Sequence, residues 1–85
     1  MYVIVVYDVN HRRVSKICKF LRQYLNWVQN SVFEGELTLS QYELIKNMLS
    51  KMIKEEDCII IYDIGKKWKK REIIGKEKVN ISNVI

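Results

Sequence analysis

Apolar residues along this chain of 85 residues fall into continuous runs and helical stripes, and their alternation predicts a small α+β layer structure. Tyr2 to Tyr7 is an unbroken apolar run, the signature of a strand buried on both faces. Val14, Ile17, Cys18, Leu21, Tyr24 and Leu25 then recur at three- and four-residue steps, which predicts an amphipathic helix. Its opposite side carries Arg12, Lys16 and Lys19, with Arg13 and Arg22 flanking them. From Trp27 to Leu37 the chain alternates and is rich in β-branched and aromatic residues, and Gly35 permits a bend or bulge. This segment reads as two short strands or one kinked strand. Ser40 and Glu43 have capping-box spacing, and the stripe Tyr42, Ile45, Leu49, Met52, Ile53 predicts a second helix behind them. Glu55-Glu56-Asp57 is unfavourable at the carboxyl end of a helix dipole, so those acids are expected in a loop. Cys58 to Ile64 is another buried strand, interrupted by Asp63, and Ile73-Ile74 and Val79 to Ile85 are short β-like stretches that need an existing edge.

The resulting order is β-α-β-β-α-β with an extra C-terminal strand, the split βαβ or ferredoxin-like sandwich. One apolar stripe per helix covers one face of the sheet, yet the first and last strands are apolar on both sides. The second face calls for a cover, and a homodimer stacked sheet on sheet supplies it. Such stacking brings the strand ends, and with them two copies of Asp8, near a two-fold axis. Residues 1–85 form one domain, of which 66–85 are a basic C-terminal extension.

Composition narrows the class. With 48% hydrophobic residues, no proline and three glycines, the chain is globular rather than disordered. A domain this short buries roughly 60–65% of its unfolded surface, which favours stabilisation by association. The N-terminal apolar run lacks a basic leader and no run is long enough to span a bilayer, so neither secretion nor membrane insertion is expected. Cys18 and Cys58 have no C-x-x-C spacing, which fits buried structural thiols in a reduced cytoplasm. Up to Gly65 eight basic residues balance eight acids, whereas from Lys66 onward seven basic residues against two acids carry the whole net charge of +5. Two positive regions, this tail and the first helix, point to a polyanion such as nucleic acid; a solvated surface is the alternative.

Candidate chemistry starts at Asp8, the only carboxylate in the first 33 residues, placed where a buried strand gives way to a helix. It is either a turn or N-cap acid or a metal ligand. One carboxylate is too few for Mg²⁺, which takes one or two plus waters and phosphate oxygens, so a second must come from another copy of the chain. Histidine occurs once, at His11, a helix-start position that is idle unless it moves a proton or touches phosphate. Arg12, Arg13, Lys16 and Lys19 suit backbone phosphates better than bases. Phe33 is a core or base-stacking aromatic. Trp68, set among Lys66, Lys67, Lys69, Lys70 and Arg71, is a stacking aromatic or a tail residue that docks on a partner subunit.

Tyr7-Asp8 closing the first strand, Arg12-Arg13 opening the helix, Gln29-Asn30-Ser31-Val32-Phe33-Glu34-Gly35, and Ile61-Tyr62-Asp63-Ile64 together resemble the CRISPR-associated protein 2 family, from residue 1 to about Ile64. The resemblance implies a ferredoxin-like homodimer whose C-terminal strand packs on the partner protomer. It also implies a Mg²⁺-dependent endonuclease, cutting single-stranded RNA or double-stranded DNA, with Asp8 as the catalytic and metal-binding acid from each subunit. Tyr7, Asn10, Ser31 and Phe33 are its supporting candidates. A further implication is partnership with the CRISPR-associated protein 1 integrase in spacer acquisition, where a non-catalytic DNA scaffold would serve equally. From a different class, a small-molecule regulatory module would need a polar pocket at a subunit interface, and the sequence offers no ligand motif for it.

Overall fold

Strand β1 (Tyr2–Asp8) runs through the interior of a four-stranded sheet, as its unbroken apolar run demands. Helix α1 (His11–Leu21), strands β2 (Asn26–Gln29) and β3 (Val32–Glu36), helix α2 (Leu39–Met52) and strand β4 (Cys58–Asp63) follow in a computed structural model that describes residues 1–65 and 72–75. The sheet order is β2-β3-β1-β4 with antiparallel neighbours throughout, so the chain has the α+β, ferredoxin-like βαββαβ topology. Residues 72–75 contain no strand, so Ile73-Ile74 does not form the β-like stretch that its composition suggests. Val79 to Ile85, and with it the expected extra strand, lies outside the described residues, as does Trp68.

Both helices pack on one face of the sheet. Val3, Val5 and Tyr7 of β1 and Phe33 of β3 point into that layer and are buried with Ile17, Leu21, Ile45 and Leu49 of the helices. Residues of opposite parity point the other way. Register pairs Ile4 with Tyr62 and Val6 with both Ile60 and Val32, and Ile60 and Tyr62 remain 44% and 52% exposed. Burial of β1 and β4 on both faces, expected from their composition, is therefore met on the helix side alone among the described residues.

Local chemistry explains the connections. The segment from Trp27 is two strands, joined through Asn30, which takes a left-handed φ of 44° that Asn tolerates better than most residues. The Trp27 indole N–H donates to the Asn30 carbonyl at 2.9 Å, and the ladder shifts register between Trp27 and Gln29. A Cβ on Gly35 would sit 3.0 Å from Leu25 Cδ2, so the missing side chain lets the turn after α1 close over β3. Helix α1 stops at Leu21, earlier than its stripe suggests. Tyr24 and Leu25 reach the core from a turn in which both amides bond back to the Leu21 carbonyl. Helix α2 is capped two residues earlier than expected. Thr38 takes the extended cap conformation, and its hydroxyl accepts from the Gln41 amide at 3.1 Å while the Gln41 side chain accepts from the Thr38 amide at 2.9 Å. Ser40 is thus already helical, and Glu43 pairs with Lys46 instead, at 3.7 Å. Glu55 to Asp57 do form a loop.

Candidate functional site

Asp8 ends β1 with the same parity as Ile4 and Val6, so its side chain belongs to the face that the helices leave open. It is exposed, stands opposite Cys58 in the register, and has no hydrogen-bond or ion-pair partner among the described residues. The capping role open to it in the sequence falls to Asn10, whose side-chain oxygen accepts from the Arg12 amide at 3.0 Å. Among the described residues Asp8 is therefore a carboxylate without a partner, at the end of a strand whose outer face is largely apolar.

The supporting candidates lie elsewhere. Tyr7 points to the opposite face, buried, with its hydroxyl 2.8 Å from Cys18 Sγ and its ring 6.1 Å from that of Phe33. Burial, reinforced by the hydrogen bond with Cys18, pushes the Tyr7 hydroxyl up to about 12. Phe33 is wholly buried, which leaves no face to stack on a base. Ser31 completes the hairpin, its carbonyl accepting from the Tyr7 amide at 3.1 Å. Tyr7 and Phe33 thus hold the strand that presents Asp8; neither offers a group beside it.

The basic residues divide as well. Arg12, Lys16 and Lys19 are exposed along α1, on the side turned away from the sheet. His11 is exposed at the start of the same helix. Arg13, taken from the sequence as a phosphate contact, is instead folded inward. Its Nε lies 2.6 Å from Asp57 Oδ2 and its Nη2 lies 3.0 Å from both Asp57 Oδ1 and Glu56 Oε2. The reason is that Asp57 is completely covered, and a covered carboxylate must be met by donors. The guanidinium of Arg13 holds the Asp57 carboxyl well below the usual carboxylate range, with the Lys54 and Asn10 amides adding to it. Sequence reading missed Asp57. The available signal was three acids placed against the dipole of the preceding helix, an arrangement that asks for a cation from elsewhere in the fold.

Among the described residues no three His, Cys, Asp or Glu side chains gather as a metal-ion cluster, so one chain brings to the open face a single unpartnered acid, Asp8. No described helix is long and apolar enough to cross a membrane.

Fold and site together define a small ferredoxin-like domain that displays Asp8 at the edge of the sheet face opposite the helices, where Glu34 and Glu36 of β3 also lie by register. The family described as CRISPR associated protein Cas2 matches residues 1–72, and the chain belongs to that family. It is 55% identical to the CRISPR-associated endoribonuclease Cas2 of Methanocaldococcus jannaschii, across the whole of this chain and 76% of that protein. Identity to the endoribonuclease of the same name from Pyrococcus furiosus is 54%, with both chains fully covered. A Cas2 crystal structure superposes with a TM-score of 0.84 at 46% identity, over 92% of this chain and 90% of the other.

Proposed function

We propose that this protein is a divalent-metal-dependent endonuclease of CRISPR adaptation that hydrolyses phosphodiester bonds in single-stranded RNA, double-stranded DNA or both. It acts as a homodimer in which two Asp8 carboxylates share one cation, Mg²⁺ before others, and it works beside the CRISPR-associated protein 1 integrase. The supporting observation is the free Asp8 carboxylate on the open face. Carboxylate oxygens are the hard donors that Mg²⁺ prefers, and the need for a second one matches the need of that face for a second copy. Endoribonuclease relatives at 55% and 54% identity support RNA as a substrate.

The residues divide the work. Ile4, Val6, Ile60 and Tyr62 pack against their counterparts and keep water from the space between the sheets. Asp8 holds the cation at the rim of that space. When bound, the cation polarises a phosphate oxygen and lowers the pKa of a water molecule. Arg12, Lys16 and Lys19 neutralise backbone phosphates and set the register of the nucleic acid without reading its sequence. Substitution Asp8→Ala is expected to abolish Mg²⁺-dependent cleavage of RNA and duplex DNA while dimer mass and nucleic-acid affinity stay as they were. Undiminished cleavage by that variant rules the reading out.

The basic stripe on α1 favours a second reading, a DNA-binding scaffold in which cleavage is dispensable. Under it Asp8→Ala leaves spacer acquisition intact, whereas the double reversal Arg12→Glu with Lys16→Glu abolishes it and flattens the salt dependence of DNA binding.

A further inference from the structure

We infer that Asp57, together with Arg13, is a positioning residue that fixes the direction in which Asp8 is presented, an inference resting on the reading of Asp8 as the metal-holding acid. The Asp57 side chain is 0% exposed, and both of its oxygens are doubly engaged. Oδ1 accepts from the Asn10 amide at 2.8 Å and from Arg13 Nη2 at 3.0 Å, while Oδ2 accepts from the Lys54 amide at 2.9 Å and from Arg13 Nε at 2.6 Å. One carboxylate thereby joins three chain segments: Asn10, two residues past Asp8, the first turn of α1, and the loop leaving α2.

The placement matters more than the number of bonds. Asp57 directly precedes Cys58, which is the register partner of Asp8, so clamp and candidate ligand sit at the same end of the β1–β4 pair. Asp8 is then held on both sides. Before it, the Tyr7 amide donates to Ser31 and the Tyr7 hydroxyl meets Cys18; after it, the Asn10 amide donates to Asp57. The backbone from which Asp8 projects is thus anchored at Tyr7 and at Asn10, one residue before it and two after. A ligand shared across a symmetry axis needs that restraint, because an error in its direction is repeated by the second copy and doubles the mismatch. A simple loop closure needs no buried charge, since the desolvation of a carboxylate and a guanidinium offsets much of their attraction.

The test uses the full-length protein and Mn²⁺ as an electron-paramagnetic probe, with free ion titrated against wild type, Asp57→Asn, Arg13→Gln and Asp8→Ala. Asp57→Asn preserves shape and one acceptor but loses the charge; Arg13→Gln leaves Asp57 its two amides, and provides the measurement if the first variant does not fold. Expected are a 10–100-fold weaker Mn²⁺ affinity for either clamp variant, the range typical of groups that orient a metal ligand. Faster hydrogen exchange at the Asn10 amide and an unchanged dimer mass are expected with it. Clamp variants that fold and bind Mn²⁺ like wild type, beside an Asp8→Ala protein that does not bind it, overturn the positioning role and leave the reading of Asp8 standing. Wild-type Mn²⁺ binding by Asp8→Ala removes the reading itself.

Discussion

The two faces of the sheet share the same strands and differ in what finishes them. On one, Val3, Val5, Tyr7 and Phe33 meet the two helices and are buried. On the other, Ile4, Val6, Ile60 and Tyr62 line up across β1 and β4, and among the described residues no helix covers them. The first face is solved by one molecule. The second is the one the proposed dimer would cover, and Asp8, by parity, belongs to it. The helix-covered core and the proposed site are thus separated by the two-residue period of a strand. Moving Asp8 by one position would aim it among the helices.

The largest expected effect lies on the covered face. Phe33→Ala removes a fully buried ring and should lower unfolding free energy by about 3–5 kcal/mol in denaturant titrations. A loss below about 1 kcal/mol would mean that the helix layer is not the main source of stability. On the open face, Ile60→Lys places a charge in the proposed interface. Sedimentation should show monomers at concentrations where wild type is dimeric, with monomer stability changed by no more than about 0.5 kcal/mol. A dimer that survives this change would place the interface elsewhere and break the contrast between the faces. A pH scan sharpens it further. The Tyr7 hydroxyl is raised from 10.0 to about 12 by burial, so its contribution is complete below pH 10 and is lost as pH climbs toward 12. Stability of wild type should therefore fall more steeply over that interval than stability of Tyr7→Phe, which keeps the ring and lacks the proton. The smallest effect concerns how α2 is held over the covered face. Thr38→Ala should cost about 1 kcal/mol, whereas Ser40→Ala should cost no more than a few tenths.

Much of the fold was legible because its signals are local. The unbroken apolar run of Tyr2–Tyr7 marks an interior strand, the 3.6-residue stripes of α1 and α2 mark helices buried on one side, and together they place the elements to within a few residues. Errors arose at the ends, where competing local signals are of similar strength. Ser40 with Glu43 and Thr38 with Gln41 both have cap spacing, and the extended backbone at Thr38 decides between them. Tyr24 and Leu25 continue the stripe of α1 because they reach the same core from a turn, and side-chain spacing alone does not separate that from another helical turn. At the proposed site, the exposed end-of-strand placement of Asp8 was legible from its position after an apolar run. The pairing of Arg13 with Asp57 was not legible, because a basic residue on a helix looks the same whether it meets phosphate or an acid that lies 44 residues away.

What the sequence determined by itself is the supply: apolar runs enough for two sheet faces, helical stripes enough for one, and a single early acid, all of which depend on neighbours near in the chain. Tertiary structure alone decided which face Asp8 shares and which cation Asp57 captures. Both depend on strand register and on contacts between distant segments, where an offset of one residue or the swap of one partner leaves every local pattern unchanged.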